Sequence, residues 1–187
     1  MLSRIILDKK RFSITVDRLC SQVLEDHGDF SDTVIIGMQP RGVLLAKRIL
    51  SRLEKTLGNV KIQYGDLDVT FFRDDFRRRD SPIIPGKTNI DFLVEDKKVL
   101  LIDDVLYTGR TVRAALDALV QFGRPKKVEY LALIDRKFSR DLPIEANYVG
   151  WAIDSIDSEK VIVKWKETDG EDAVWLIKRD IGDESAA

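Results

Sequence analysis

The segment VLLIDDVLYTGRT at 99–111 constrains the fold of this chain more than any other stretch. Its first four residues have the composition of a buried strand, and they lead directly into Asp103 and Asp104. A tight turn around Gly109 follows, and apolar residues then recur at helical spacing. A strand joined by a short turn to a helix is the unit of a parallel α/β sheet. Because two adjacent carboxylates repel each other, we expect a ligand at this strand end to use them.

The same alternation of strand and helix extends through the first two thirds of the chain. Apolar composition and period predict strands at 33–38, 97–103 and 127–135, and helices at 12–26, 43–53 and 110–123. The segment 58–75 begins irregularly and then alternates through Leu67, Val69 and Phe71, which predicts another strand. The fold class is therefore α/β, with a central, mostly parallel, doubly wound sheet flanked by helices.

Two further regions extend this predicted core. The candidate strands at 147–153, 160–165 and 173–178 have no helices between them, which predicts an antiparallel extension or flap. Residues 74–90 are polar and contain an arginine run, two prolines and a glycine. This composition predicts a flexible loop or a long hairpin.

Length, net charge, apolar runs and cysteine content limit the classes of protein to which this chain can belong. A chain of 187 residues fits one domain. With 31 basic and 32 acidic residues the net charge is −1, so no overall field favours nucleic acid or anionic lipid. The N-terminus lacks the apolar core of a signal peptide, and no apolar run approaches the roughly 18 residues that span a bilayer. Since Cys20 is the one cysteine, we expect no internal disulfide and a cytoplasmic location.

The turn at 103–111 has the composition of a phosphate site. Backbone N–H groups at a helix start bind anions, and Thr108 and Thr111 add two hydroxyls. Gly109 allows a positive φ or a close approach of the ligand. Carboxylates are poor phosphate ligands, so Asp103 and Asp104 suit sugar hydroxyls, a divalent cation, or both. Together these groups describe a site for a ribose 5-phosphate. The alternative is a polar strand end with a threonine helix cap, which needs one such residue and not the whole set.

The turn matches neither of two common phosphate motifs. The G-x-x-x-x-G-K-[ST] spacing and the G-x-G-x-x-G fingerprint are both absent. No Ser/His/Asp or Cys/His set for nucleophilic catalysis stands out either. We expect His27, the sole histidine, to be an exposed residue at a helix end, and Cys20 to be packed on the first helix.

These motifs resemble a known family. VLLIDDVLYTGRT is similar to the signature of the type I phosphoribosyltransferases, which bind phosphoribosyl pyrophosphate. The resemblance is closer to their PyrR branch, the bifunctional pyrimidine-operon regulators and uracil phosphoribosyltransferases. It covers most of the chain, through GMQPRGVLLAKRI (37–49), GDLDVTFFRDD (65–75), DDVLYTGRTVRAALDALVQFGRP (103–125) and DLPIEANYVG (141–150).

The resemblance implies an enzyme with one domain, at 1–187. It implies a type I phosphoribosyltransferase fold, a small hood built from about 135–187 and the N-terminus, and a flexible loop at about 74–90 that closes over the substrate. The implied reaction joins uracil to phosphoribosyl pyrophosphate and releases UMP and pyrophosphate. Such a reaction needs positioning and electrostatic stabilisation of the leaving group instead of a protein nucleophile, and the implied cofactor is Mg2+.

The resemblance also assigns roles to residues. Asp103 and Asp104 would hold the ribose hydroxyls and Mg2+, directly or through water. The other implied catalytic residues are Arg41 and Arg73, which would reach the pyrophosphate. The 5-phosphate would lie on Leu106, Tyr107, Thr108, Gly109, Arg110 and Thr111. The pyrophosphate loop would be 38–42, with Pro40, Arg41 and Gly42, and the nucleobase would contact Val105, Asp135 and Arg136.

Position 40 adds a hypothesis from the residues themselves. Related enzymes often have a cis peptide bond in the pyrophosphate loop, and here Pro40 follows Gln39. A cis bond before proline costs about 0.5–1 kcal/mol, against about 2.5–4 kcal/mol before other residues. We therefore hypothesise that the Gln39–Pro40 bond is cis.

Two alternatives stay open. The first is a UMP-sensing regulator that binds pyrimidine-operon RNA, with or without catalysis. Three features depart from such regulators: Pro40-Arg41 replaces a common Thr-Arg pair, 135–143 lacks the expected histidine, and 150–160 is acidic. The basic candidates for an RNA surface are scattered, and they are Arg18, Lys137, Arg140 and Lys160. The second alternative is a purine phosphoribosyltransferase, which would have the same phosphate site. Under either reading a homodimer or larger homo-oligomer is expected, and no membrane partner.

Overall fold

Two β-sheets and the helices between their strands organise the chain. The computed structural model describes residues 3–74, 86–156 and 158–178. The strands are β1 Ser3–Leu7, β2 Thr33–Met38, β3 Tyr64–Leu67, β4 Lys98–Leu106, β5 Lys127–Lys137, β6 Tyr148–Asp154, β7 Glu159–Lys164 and β8 Ala173–Lys178. The helices are α1 Lys9–His27, α2 Gly42–Thr56, α3 Arg110–Leu119 and α4 Lys166–Asp169. Short 3-10 turns lie at Thr70–Phe72 and Val120–Phe122.

The larger sheet is the predicted parallel core. Its strand order is β3-β2-β4-β5-β6, and every neighbouring pair is parallel. β4 lies at the centre, between β2 and β5. One face packs against α1 and α2, through residues such as Ile102 and Leu45, and the other against α3, through Leu101 and Ala115. Because all five strands run in one direction, their carboxyl ends lie along one edge, where open α/β sheets bind ligands.

The smaller sheet joins the two ends of the chain. Its order is β1-β8-β7, and both pairs are antiparallel. Ser3 pairs with Ile177, and Lys160 also pairs with Ile177 on the other side of β8. We refer to these three strands as the small sheet. The sequence pattern did not predict β1. The expectation that β6, β7 and β8 form an antiparallel extension is wrong for β6, which pairs in parallel with β5 at the edge of the larger sheet.

The predicted strand through Leu67, Val69 and Phe71 is also wrong in its second half. β3 ends at Leu67, and a 3-10 turn begins at Thr70. The cause is local: the Asp68 carboxylate accepts hydrogen bonds from the backbone N–H of Thr70, at 3.0 Å, and from its hydroxyl, at 2.6 Å. An aspartate that binds the backbone two residues ahead turns the chain and ends the strand.

The prediction that His27 is exposed is wrong. Its side chain is buried where α1 ends against the first residues of β5 and β6. Nδ1 lies 3.1 Å from the Thr33 hydroxyl, and Nε2 lies 3.2 Å from the Tyr148 hydroxyl and 3.4 Å from the Glu129 carboxylate. Burial lowers the His27 pKa, and Glu129 opposes this shift. Cys20 is packed on α1, as expected.

Part of the predicted flexible loop at 74–90 lies outside the described residues, namely 75–85. After it, Asn89 forms a bridge to Asp66, and the Thr88 hydroxyl accepts the N–H of Asp68 at 3.1 Å. Within the three described ranges, no helix is long and apolar enough to cross a membrane.

Candidate active site

Asp103 and Asp104 face different cavities. They are consecutive residues near the end of β4, and consecutive side chains of a strand point to opposite faces of the sheet. Asp103 lines a cavity of about 210 Å³ on the α3 side, together with the turn at 105–111. Asp104 lines a cavity of about 380 Å³ on the side of the small sheet. Val105 lines both cavities. We call the first the cradle cavity and the second the β7 cavity, and the acid pair stands between them.

Both carboxyl groups are held in a state that favours their neutral forms. Burial raises the pKa of Asp103 well above its ordinary value, and the neighbouring Asp104 raises it further. Burial also raises the pKa of Asp104, although Arg41 opposes the shift. The backbone N–H of Asp104 donates to the Asp103 carboxylate at 2.8 Å. A cation or hydroxyl donors at this strand end would offset that cost, so the raised pKa values support a ligand at the acid pair.

The turn after β4 leads into α3 through Gly109. Gly109 precedes the helix with φ 89°, in the left-handed region, and the Thr108 hydroxyl accepts the first helical N–H, that of Arg110, at 3.4 Å. A Cβ at Gly109 would lie 3.2 Å from the Ile144 Cβ, so a side chain there is disfavoured by contact as well as by φ. The first N–H groups of a helix have no partner within it. At the start of α3 these N–H groups lie beside the cradle cavity, and this arrangement suits a phosphate.

The segment that follows β5 holds this turn in place. The Thr108 carbonyl accepts the N–H groups of Asp141, at 3.0 Å, and Leu142, at 3.1 Å. Arg140 donates to the carbonyl oxygen of Tyr107. Arg110 pairs with Asp141 at 2.9 Å. These bonds hold the turn against the segment at 140–142, beside the cradle cavity.

The loop between β2 and α2 approaches the acid pair closely. A Cβ at Gly42 would lie 2.5 Å from the Ile102 carbonyl oxygen and 2.8 Å from the Asp103 Cα, so only glycine fits there. The Gln39–Pro40 bond is cis, as hypothesised. Arg41 lines the β7 cavity and donates to the Val163 carbonyl oxygen of β7. The loop therefore brings the Arg41 cation to Asp104 and the start of α2 to Asp103.

Arg73 lies on the opposite side, at the cradle cavity. Its guanidinium is 3.4 Å from the Thr111 hydroxyl, and it lowers the pKa of Asp103 in opposition to burial. The structure thus brings Arg73 to the phosphate turn and Arg41 to the β7 cavity, with the acid pair between the two arginines.

The residues predicted to contact the nucleobase have different surroundings. Val105 lies at the site, as described above. Asp135 pairs with Arg140. Arg136 is buried, donates to the Ser155 hydroxyl at 2.8 Å and to the Glu159 carbonyl oxygen at 3.0 Å, and stacks on the Tyr107 ring at 3.9 Å. These contacts favour a supporting position for Asp135 and Arg136 behind the phosphate turn, and their contact with a base stays a prediction.

Sequence reasoning missed two groups at the site. Lys160 and 161–163 of β7 line the β7 cavity, although Lys160 drew attention only as a scattered basic residue. Tyr130 of β5 lines the cradle cavity, and in the sequence it is one apolar-strand residue among many. Strand pairing brings both groups to the site, and no local sequence pattern predicts that pairing.

The acid pair fits a magnesium ion of one particular kind. In the described part of the chain, no three His, Cys, Asp or Glu side chains gather as a metal cluster. Mg2+ is commonly bound by one or two carboxylates, with substrate phosphates and waters as its remaining ligands. Asp103 and Asp104 therefore suit an ion that arrives with a phosphorylated substrate.

Comparison with known proteins agrees with this geometry. The phosphoribosyl transferase domain family matches residues 3–167. A bifunctional protein PyrR from Endomicrobium trichonymphae is 47% identical over 180 residues, which cover 95% of this chain and 100% of that protein. The PyrR proteins of Desulfosudis oleivorans and Bacillus subtilis are 44% and 38% identical, over 90% and 94% of this chain and 93% and 97% of theirs. The chain belongs to the PyrR family of phosphoribosyltransferases.

Solved structures place this PyrR-family chain in the type I phosphoribosyltransferase fold. A hypoxanthine phosphoribosyltransferase from Staphylococcus aureus superposes with a TM-score of 0.66 at 19% identity, over 94% of this chain and 92% of that one. A Trypanosoma cruzi hypoxanthine phosphoribosyltransferase gives 0.67 at 16% identity, over 94% and 91%. At such identities the likeness establishes the fold and not the choice of base.

Proposed function

We propose that this protein transfers the phosphoribosyl group of phosphoribosyl pyrophosphate to uracil, producing UMP and pyrophosphate. One observation carries the proposal: the acid pair stands between a phosphate cradle and a second cavity that holds Arg41 and Lys160. The family membership supports the reaction class, and the PyrR relatives support a pyrimidine as the acceptor. The division into a core and a hood belongs to the same proposal, and most of the predicted loop between them in sequence, at 75–85, lies outside the described residues.

In this proposal the protein acts by positioning and by charge. The turn at 106–111 binds the 5-phosphate, and Asp103 and Asp104 orient the ribose hydroxyls. As the bond from C1 to pyrophosphate breaks and the bond from C1 to the base nitrogen forms, positive charge develops on the ribose. Two nearby carboxylates stabilise that charge. Arg41, beside Asp104, and Arg73, beside Asp103, would reach from the two cavities toward the departing pyrophosphate, whose negative charge grows.

Asp103 and Asp104 would also hold Mg2+, directly or through water. The ion would neutralise the pyrophosphate oxygens and so make pyrophosphate a better leaving group. The two carboxyl groups, whose pKa values are raised in the free protein, would hold the ion in their ionised forms. We therefore propose that Mg2+ and phosphoribosyl pyrophosphate bind together.

The β7 cavity is the proposed base site. Uracil presents two carbonyl oxygens and N–H groups, so it needs a donor and a matched backbone edge. The Lys160 ammonium supplies donors, and β7 supplies backbone groups beside Val105. A purine phosphoribosyltransferase remains the alternative, and base competition separates the two.

The first experiment is a base-specific assay. Purified protein, Mg2+ and phosphoribosyl pyrophosphate are incubated with uracil, hypoxanthine or guanine, or without a base, and nucleotide formation is followed. We expect UMP, and we expect Asp104→Asn to lower its rate by about 100-fold or more, because charge stabilisation at the ribose is lost. Turnover of a purine and not of uracil would move the chain to the alternative. UMP binding without turnover of any base would indicate a nucleotide sensor.

Binding of pyrimidine-operon RNA is the second candidate, and it rests on the family. The basic residues considered for it lie apart in the structure: Arg18 donates to β6 carbonyl oxygens, Arg140 supports Tyr107, and Lys160 lines the β7 cavity. Filter binding of leader RNA with UMP, at two salt concentrations, tests it, because phosphate contacts make affinity fall with salt. A homo-oligomer also stays a prediction, which sedimentation measures.

A further inference from the structure

Tyr130 is a buried tyrosine whose position the mechanism above does not use. It lies on β5, in register with Leu101 of β4, and its side chain packs into the core on the α3 side. Only 4% of the residue is exposed. The ring is therefore an ordinary core side chain. The burial of its hydroxyl group needs a physical explanation.

The Tyr130 hydroxyl has no hydrogen-bond partner among the described residues. A buried donor without a partner lowers stability, so native proteins rarely keep one without a use. Three other buried side-chain donors in the described ranges share this state: the indole N–H groups of Trp165 and Trp175, and Nε of Arg113. Of the four residues, Tyr130 is the one that lines a cavity of the active site.

The cavity that Tyr130 lines is built for an anion. The other walls include Thr108, Gly109, Thr111 and Arg73, which contribute hydroxyls, helix N–H groups and a cation. Among the described residues, Asp103 is the one carboxylate that lines it. Burial, followed by the charges of Asp103 and Asp104, raises the Tyr130 pKa well above its ordinary value. The hydroxyl therefore keeps its proton and remains a neutral donor throughout the range in which an enzyme works.

We propose that the Tyr130 hydroxyl donates a hydrogen bond to the phosphate group that the turn at 106–111 binds. Tyr130 would then be a ligand-binding residue supplied from β5, a strand outside the phosphate turn. Its acceptor is a phosphate monoester oxygen of the ligand, which satisfies the donor when the site is filled. The inference rests on the proposed function, because it takes a sugar 5-phosphate as the occupant of the cradle cavity.

The test is Tyr130→Phe, which removes the hydroxyl and keeps the ring that fills the core. Calorimetric titration with UMP and with uridine separates the phosphate from the rest of the ligand. We expect the Kd for UMP to rise by about tenfold or more, the loss typical of a hydrogen bond to a charged group. The Kd for uridine should stay within twofold. The melting temperature of the free variant should stay the same or rise, because an unpaired buried hydroxyl is gone.

Tyr148→Phe is the matched control. It also removes a buried phenol hydroxyl, but this one bonds to the Asp26 carboxylate at 2.8 Å at the far end of the parallel sheet. We expect it to lower the melting temperature and to leave both Kd values unchanged, the reverse of Tyr130→Phe.

Three results would overturn the inference. An unchanged UMP affinity in Tyr130→Phe would remove the contact. Equal weakening for UMP and uridine would place the effect on the ribose or the acid pair instead of the phosphate. If the wild-type protein fails to bind UMP at all, the proposed function falls, and the inference with it. Only in this last case does the wild-type titration itself fail, so the two failures are distinguishable.

Discussion

At the scale of single residues, the two acids of β4 serve two different spaces. Adjacent side chains of a strand point apart, so Asp103 reaches the cradle cavity and Asp104 reaches the β7 cavity. Burial raises the pKa of both carboxyl groups, and the Asp104 charge raises the pKa of Asp103 further, so the repulsion expected from the sequence acts at Asp103. Burial of the two carboxyl groups costs stability in the free protein, at the place where we propose that a sugar and a cation bind.

This cost gives a prediction for Asp103→Asn. Folding raises the Asp103 pKa above its ordinary value of 3.8, so the folded state holds the proton more tightly than the unfolded chain. Stability of the wild type therefore falls as pH rises from about 3.8 through the raised pKa. Asparagine does not titrate, so the variant should be more stable at pH 7, by about 1.4 kcal/mol for each unit by which the pKa is raised. UMP formation should fall at the same time.

Urea unfolding of both proteins between pH 3 and pH 8 measures this difference. The two curves should converge at low pH, where both states of the wild type are protonated. Asp117→Asn is the control, because Asp117 is an exposed partner of Arg113 on α3, and its unfolding free energy should change by less than about 0.5 kcal/mol at every pH. An Asp103→Asn protein that is less stable at pH 7 would contradict the argument.

At the scale of elements, the site depends on how closely the start of α2 approaches β4. The first residue of α2 is Gly42, and the missing Cβ leaves room for the backbone of Ile102 and Asp103. Rigid backbone on both sides cannot move as the end of a flexible side chain would. The distance between two elements is thus set by one residue, and that distance places Arg41 beside Asp104.

Gly42→Ala should therefore damage both stability and function. We expect the unfolding free energy to fall by about 1–3 kcal/mol, as for other overpacked sites, and the KM for phosphoribosyl pyrophosphate to rise as α2 moves away from β4. Denaturant unfolding and steady-state kinetics measure the two effects. Gly170→Ala is the comparison: Gly170 has φ 79° and open space around it, so strain of about 1 kcal/mol without a change of KM is expected. Similar KM values for the two variants would argue against the proposed contact.

At the scale of the whole molecule, Arg48 ties the small sheet to the parallel core. It extends from α2 and pairs with Glu167 and with Asp172, at 2.6 Å, in the segment between β7 and β8. Its guanidinium also lies 5.0 Å from the Trp165 ring. The β7 cavity lies between the two sheets, so this junction sets where β7 stands relative to Asp104.

Arg48→Met should loosen that junction while it keeps much of the apolar stem. We expect a loss of about 2 kcal/mol in unfolding free energy, less than for a fully buried pair, because Glu167 is partly exposed. The KM for the base should rise as β7 shifts. Arg52→Met removes a more exposed pair with Asp17, between α1 and α2, and should cost under about 1 kcal/mol. Calorimetry measures the unfolding free energies, and kinetics measures the KM for the base. Equal changes in both variants would contradict the role given to Arg48 at the junction.

Much of this architecture follows from local sequence. The strand, turn and helix at 99–111 are fixed by a buried apolar run, a glycine that accepts positive φ, and an amphipathic helix, all of which act over a few residues. The same local signals gave most of the parallel core and identified the family. The local pattern predicted a β3 strand that is too long. The Asp68 side chain binds the Thr70 N–H and turns the chain, although the apolar residues continue to alternate.

Only the tertiary structure decided what faces the site from a distance. β1 pairs with β8 across almost the whole chain, His27 is covered by β5 and β6, and Lys160 and Tyr130 reach the two cavities through strand pairing. These contacts depend on register and on which side of a sheet an element packs. The sequence by itself determined most of the elements of the parallel core and the place of the acid pair and of the turn that follows it. The fold determined the two cavities, because a cavity is formed by residues far apart in the chain.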